Sequence, residues 1–417
     1  MKGVFIILDG VSDEPVQALG QKTPLEAAKT PNLDFIAKKS RIDYCYTVKE
    51  GVVPESSAAV VSLLGYDPNF APRGPLEANG LGIKLKPGDL AFRCNFATID
   101  DMQSLQVIDR RAGRTLTTEE ARILAKAINE KVKLPHGYRF DFYPSIQHRG
   151  VLVFRGGFSD NITNADPAYS GAAAEPGVSS KMVFSRALDE DDEAILSAEL
   201  VNSFVRQSFE VLDRHPINLA RAKKGFYSAN IILCRDAGNE PAKFKKLAGK
   251  WMALGYMPLE KGIAEAAGME IYKFSYPKLK GIDVYGNLYE GLERAIKYAK
   301  RMIWWKNTKY DYFYIHFKET DIPGHDNKPF DKVKMIELLD KKFFSFMRKY
   351  LKEGIKLVVT ADHTTACRKY AHSAEPVPVL TYHHGKESEK RFTEAEGLKG
   401  RKLMGRNLLK NAFFSKQ

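Results

Sequence analysis

The chain has 417 residues, 44% of them hydrophobic, and 64 basic against 51 acidic side chains give a net charge of +13. That length allows two domains of ordinary size, or one large domain with an insertion, and the apolar fraction supports a real core with no segment disordered by composition. The longest apolar runs fall far short of the ~20 residues a membrane span needs, which excludes a membrane-spanning helix, and the dispersed lysines, with no basic tail or long run, argue against a nucleic-acid partner.

Along the chain, Val4–Leu8 reads as a first buried strand ending in Asp9-Gly10. It is too short for a signal peptide and lacks a small-residue cleavage pattern, so a cytoplasmic protein is expected. Thr30-Pro31 introduces a helix over Asn32–Lys39, and Ser56-Ser57 precede a helical run, Ala58–Leu64, that stops at Gly65. Ala91–Ile99 and Val151–Phe154 read as strands separated by a helix near Thr118–Lys131. A Gly/Ala/Ser-rich loop over about Asp166–Ser180 comes next, then a long helix, Glu193–Leu212, and a strand, Ser228–Leu233. The last third gives a helix over Leu288–Ile303, a strand over Tyr310–Phe317 and a long amphipathic helix over Lys332–Leu351. Strands over Lys356–Ala361 and Val377–Tyr382 complete it. The outer parts alternate strand and helix as a largely parallel α/β sheet does. The simplest partition is one sheet domain split between residues 1–70 and 245–417, with a second domain, 71–244, inserted in it.

The four cysteines, Cys45, Cys94, Cys234 and Cys367, lack paired spacing, so reduced thiols are expected instead of disulfides or a zinc knuckle. The segments His316–His325 and Thr360–Thr364 hold three of the nine histidines beside two aspartates, each behind an apolar run, and His372 follows His363 by nine residues. Asp321 and His325 stand four apart, so one helical turn aims both at one centre, and His372 completes a three-ligand set. Asp9, Asp362 and His363 make a second set, at the ends of separate strands. Oxygen and imidazole ligands without thiolate suit manganese, zinc or magnesium. Two such ions roughly 4 Å apart stabilise both the attacking and leaving oxygens of a phosphoryl displacement.

The candidate nucleophile is Ser57, at a helix start where free backbone N–H groups favour a phosphate. A metal on its hydroxyl would replace the histidine base of a serine hydrolase. Neither a Gly-x-Ser-x-Gly elbow nor a Walker A motif is present. Taken singly, Asp9-Gly10 reads equally as a plain turn, the serine as an N-cap and His372 as a surface residue; the conjunction of six ligand-type residues with a serine favours the site. Asp109 to Arg114 packs three arginines (Arg110, Arg111, Arg114) into five positions, and Arg93, His148, Arg149 and Arg235 add to them. Arginine's planar fork matches carboxylate and phosphate oxygens, so the cluster reads as an anion site more than as a solvated turn.

These segments resemble the archaeal-type, cofactor-independent phosphoglycerate mutases of the alkaline phosphatase superfamily, over nearly the whole chain. The likeness rests on Leu8-Asp9-Gly10, Pro54 to Ala58, Arg73 to Ala78, Phe92 to Thr98, Asp109 to Arg114 and His148-Arg149-Gly150. It continues through His215 to Asn218, His316 to Asp326, Thr360 to Thr364 and His372 to Pro378. The resemblance implies an alkaline-phosphatase-like, largely parallel sheet domain with an inserted smaller α/β domain. It implies interconversion of 3-phosphoglycerate and 2-phosphoglycerate through a phosphoserine. Two divalent ions, Mn2+ before Mg2+ or Zn2+, would serve without 2,3-bisphosphoglycerate. Carried over by motif, Ser57 would be the nucleophile and would ligate one metal with Asp9, Asp362 and His363; Asp321, His325 and His372 would hold the other. Arg93, Arg110, Arg114, His148 and Arg235 would grip the substrate's carboxylate and phosphate, with Lys318 beside the transferring phosphate. The expected partner is this small molecule, with no nucleic acid and no membrane. One departure stands at Pro277-Lys278-Leu279-Lys280-Gly281, where the family tends to a Gly-Ala-Thr-Gly turn. The rival readings are a hydrolase on the same metal site and a basic RNA-binding protein on an idle scaffold.

Overall fold

The computed structural model describes residues 1–417 except 71, 168–180, 280–282, 383–388 and 415–417. Most of the expected Gly/Ala/Ser-rich loop, and Lys280 and Gly281 of the departing segment, thus lie outside the described residues.

Two sheets organise the chain. In chain order, the large one takes β1 (Gly3–Leu8) and β2 (Ser40–Tyr46) from the N-terminal part. A smaller sheet then uses β3 (Leu90–Ile99), β4 (Val107–Asp109), β5 (Arg139–Pro144), β6 (Arg149–Arg155) and β7 (Ile231–Gly238). The chain returns to the large sheet with β8 (Trp251–Leu254), β9 (Glu270–Ile271), β10 (Tyr312–Phe317) and β11 (Lys356–Thr360). A two-stranded ribbon of β12 (Thr364–Ala366) and β13 (Ala371–Ser373) precedes β14 (Val377–Tyr382) and the edge strand β15 (Lys402–Met404).

The eight-stranded sheet runs β15-β2-β14-β11-β1-β10-β8-β9, and only β14 opposes its neighbours. The unbroken apolar runs of β1 and β10 follow from that place, since a central parallel strand covered on both faces needs no alternation; every residue of both is buried. The sequence reading passed over β2, whose Arg41 and Asp43 interrupt the pattern, and β8, only four residues long. The five-stranded sheet is antiparallel throughout, with β3 paired to β6, β7 and β4. It packs its own core of Phe92, Phe96, Phe142 and Phe154 against the helices Thr118–Lys131 and Asp192–Leu212, the second of which contributes Phe204. The fold is thus α/β, with a largely parallel central sheet and a smaller second sheet inserted in its sequence. Among the described residues no helix is long and apolar enough to cross a membrane.

The single helix expected over Lys332–Leu351 is present, with a π turn in its interior. Helix Pro329–Leu339 passes into a π turn at Asp340–Phe344 before Ser345–Tyr350. The buried Asp340 carboxylate accepts hydrogen bonds from the backbone N–H groups of Asn32 (3.0 Å) and Leu33 (2.7 Å). Asp340 thus caps the helix Pro31–Lys38, whose own preceding residue, Thr30, makes no side-chain cap. Asp340→Ala is expected to lower stability by about 1–2 kcal/mol, as loss of a helix cap does, read as a lower Tm; an unchanged Tm would refute the capping role.

Candidate active site

The register of the three central strands makes the site. Leu8 pairs with Phe317, and Ile7 with Thr360, so β1, β10 and β11 end side by side. Asp9, Lys318 and Asp362 therefore emerge at the carboxyl ends of adjacent central strands, where open α/β sheets place their ligands. Asp9, Asp362 and His363 are fully buried, and each offers a ligand atom within 4.8 Å of the others. Asp362 Oδ1 accepts from the N–H groups of Gly10 and His363, both at 3.1 Å. Asp9 Oδ2 is bonded to His316 Nε2 at 2.8 Å and paired with the Lys318 ammonium. The other carboxylate oxygens, Asp9 Oδ1 and Asp362 Oδ2, are buried without a hydrogen-bond partner.

Burial, and then the neighbouring Asp362, push the Asp9 carboxyl above its ordinary range. Burial acts the same way on Asp362, but the His363 ring outweighs it and holds that carboxyl low. In return, and against its own burial, His363 is pushed up to about 9 by Asp362. Two orphaned acid oxygens facing an imidazole in a dry site are a donor set that a divalent cation fits.

The second set forms beside it. Asp321 opens the short helix Asp321–His325, and His325 Nε2 lies 3.5 Å from Asp321 Oδ2, one turn on. His372 Nε2 lies 3.9 Å from Asp321 Oδ1. His325 Nδ1 bonds the carbonyl of Tyr370, and His372 Nδ1 that of Pro54, both at 2.9 Å. A carbonyl only accepts, so each Nδ1 carries the hydrogen and each Nε2 keeps its lone pair towards Asp321. The atoms that converge within 4.8 Å here belong to Asp321, His363 and His372; His325 meets Asp321 but stands outside that group. The two sets, separate in the sequence reading, thus share His363, whose ring stacks on His372 at 3.6 Å. A third convergence, of Asp9, Glu260 and His316, went unforeseen. Lys318 Nζ is ion-paired with two of its members, lying 3.0 Å from Glu260 Oε1.

The serine needs a correction. The hydroxyl that reaches the donor sets is that of Ser56, whose Oγ lies 3.0 Å from His363 Nε2 and lines the adjoining cavity. Ser57 is buried in the same helix, Ser56–Leu63, and does not line the cavity. Successive helical side chains diverge by ~100°, so only one of two adjacent serines can face the site.

Between the two sheets lies a cavity lined on one side by Ser56, Lys318, Asp321, His325 and His372. The other side holds the expected Arg93, Arg110, Arg114, His148 and Arg235, joined by Arg73, Arg111 and Arg149. Several of these cations are anchored by acids. Arg93 donates to Glu77 Oε1 (2.7 Å) and Asn95 (3.0 Å), and Arg114 reaches across the cavity to Asp326 (2.7 Å). Arg110 forks onto Asp166 at 2.9 and 2.6 Å. Burial, then Arg149 and Arg111, hold His148 well below the ordinary histidine range, so its ring is neutral, and its buried Nδ1 has no hydrogen-bond partner. Glu77, within the motif Arg73 to Ala78, was not singled out from the sequence, since it sits mid-helix among apolar neighbours.

Acids and imidazoles at adjacent strand ends, beneath an arginine-lined cavity, define an α/β enzyme built to handle a small, multiply charged anion. The comparisons agree. Residues 37–218 match the family model of the 2,3-bisphosphoglycerate-independent phosphoglycerate mutases. The 2,3-bisphosphoglycerate-independent phosphoglycerate mutase of Aeropyrum pernix is 38% identical over 420 residues, covering 96% of this chain and 95% of that protein. That of Methanosphaera stadtmanae is 40% identical over 386 residues, covering 91% and 88%. The solved structure of a Pyrococcus horikoshii protein, 28% identical, superposes with a TM-score of 0.74 over 100% of this chain and 98% of that one. The chain belongs to the 2,3-bisphosphoglycerate-independent phosphoglycerate mutases, a family of isomerases.

Proposed function

We propose that this chain interconverts 3-phosphoglycerate and 2-phosphoglycerate through a phosphoserine at Ser56, with two divalent cations and no bisphosphoglycerate. One observation carries the reading: the Ser56 hydroxyl stands at the donor sets, 3.0 Å from their shared histidine, on the wall of a cavity whose other wall is arginine. Asp9, Asp362 and His363 would hold one cation and Asp321, His325 and His372 the other. The all-oxygen-and-imidazole donor set favours Mn2+ over softer metals. Bound there, the ions would neutralise phosphoryl charge and favour the serine alkoxide.

The chain's own residues do the rest. The substrate phosphate lies over Ser56 beside Lys318, whose ammonium, despite partial burial, is kept charged by Asp9 and Glu260. Ser56 Oγ gives up its proton and bonds to phosphorus as the P–O bond to the glycerate oxygen breaks, and that oxygen takes up a proton to become a glycerate hydroxyl. Arg93, Arg110, Arg114 and Arg235 hold the glycerate carboxylate, and neutral His148 offers a partner for a hydroxyl. The glycerate turns in place, and its other hydroxyl takes the phosphoryl group back. The unit 71–244, which we propose as the inserted domain, screens the phosphoserine from water; without that screen the same site would be a hydrolase. A cytoplasmic, glycolytic setting accords with this chemistry.

The test starts from chelator-treated protein supplied with 3-phosphoglycerate and no bisphosphoglycerate. Adding Mn2+ should restore formation of 2-phosphoglycerate without release of inorganic phosphate. Release of phosphate in place of 2-phosphoglycerate would instead establish the hydrolase.

A further inference from the structure

Behind the donor sets, out of reach of the cavity, stands a fully buried lysine. Lys332, on helix Pro329–Leu339, is 0% exposed and spends all three ammonium hydrogens on one junction. It donates to the carbonyl oxygens of Ser12 (3.1 Å) and Thr365 (2.9 Å) and to Asp13 Oδ2 (2.8 Å). Asp13 Oδ1 in turn accepts from the backbone N–H of Cys367 at 3.0 Å, and Thr365 N–H donates to the Ser12 carbonyl at 3.0 Å. The loop after Asp9 and the loop after His363 are therefore stitched together at one buried cation.

The stitched residue, Thr365, touches both donor sets. Its hydroxyl lies 2.7 Å from Asp321 Oδ1 and 3.0 Å from His363 Nδ1. An ionised carboxylate only accepts, so the threonine O–H donates to Asp321 and its oxygen is left to accept from His363 Nδ1–H. That fixes the His363 ring with Nε2 towards Asp9, Asp362 and Ser56. Across the ribbon Thr365 also pairs with His372, a third donor. Nothing about cavity shape requires a threonine here, and an ammonium without water contact is costly unless every hydrogen is used.

We propose that Lys332 and Thr365 are positioning residues: a buried clamp that sets the distance and orientation between the two cation sites. The inference rests on the two-cation reading given above. Groups that orient metal ligands alter metal affinity by about 10–100-fold when lost, and the clamp serves three donors at once.

The experiment measures Mn2+ affinity of the full, chelator-treated chain by the loss of the free-ion paramagnetic resonance signal, with Tm followed in parallel. Thr365→Val keeps the side-chain shape and the carbonyl bonded to Lys332 but removes the hydroxyl; it should weaken Mn2+ binding by about tenfold or more, and Thr365→Ser should restore it. Lys332→Met should weaken it similarly. If that variant does not fold, Lys332→Met/Asp13→Asn removes both buried charges, and affinity should stay low even though stability returns. A folded Thr365→Val chain with Mn2+ affinity within about twofold of the parent would overturn the clamp, whatever its Tm. A parent chain that binds no Mn2+ would overturn the two-cation reading itself, and the clamp with it.

Discussion

Ser56→Ala should reduce mutase turnover by about 10⁴-fold or more, the scale on which removal of a covalent nucleophile is felt, while Ser57→Ala remains an active enzyme. The two residues are adjacent in sequence and of one type, both buried and both at the start of the helix Ser56–Leu63. Either could receive the dipole and free N–H groups of that helix start. They differ in direction: only Ser56 lines the cavity and stands at His363. Because Ser56 adds a single hydroxyl beside complete donor sets, Ser56→Ala should keep its fold and bind Mn2+, so that lost turnover can be assigned to the missing oxygen. Steady-state conversion of 3-phosphoglycerate, with mass spectrometry for a phosphorylated helix peptide, distinguishes the serines. An active Ser56→Ala enzyme beside an inert Ser57→Ala one would return the nucleophile to Ser57.

How much of this was legible in the chain follows from where each residue gets its constraint. Asp9 was readable because it ends an uninterrupted apolar run, and Asp362 and His363 because they follow the largely apolar β11; a central parallel strand leaves that mark in sequence. Asp321 and His325 were readable from their four-residue spacing. The serine was not settled, since periodicity places a helix start only to within a residue or two and the difference between Ser56 and Ser57 is one of rotation. Glu260 was invisible because it follows β8, a strand of only four residues. Lys332 looked like one more charge on an amphipathic helix, although its side chain is fully buried. The sharing of His363 between the two sets depends on ring orientation, which the ribbon β12–β13 imposes and no local pattern announces.

Gly262→Ala should damage both stability and substrate binding, from a position that touches no substrate. Helix Arg73–Gly80 leads into the small sheet and crosses helix Pro258–Ala266 of the large one, backbone against backbone. A Cβ on Gly262 would stand 1.8 Å from the Leu76 carbonyl oxygen, and one on Gly80 would stand 1.8 Å from that of Pro258. The partner atoms are main chain, so no side chain can swing aside; the helices must separate by more than 1 Å to admit a methyl group. Overpacking of this kind costs about 1–3 kcal/mol, visible as a lower Tm. The displacement also carries Glu77, which anchors Arg73 (2.8 Å) and Arg93 (2.7 Å), away from the helix bearing Glu260, which faces Lys318. A misplacement of ~1 Å between groups that grip one substrate can cost on the order of 10²-fold. We therefore expect Gly262→Ala to lower kcat/KM by about that factor, chiefly through KM. Gly157→Ala supplies the control, because nothing lies within 4 Å of a Cβ there. Parent-like Tm and KM in Gly262→Ala would show that the two sheets meet less tightly than the crossing requires, and would remove the mechanical link between the arginine wall and the cation sites.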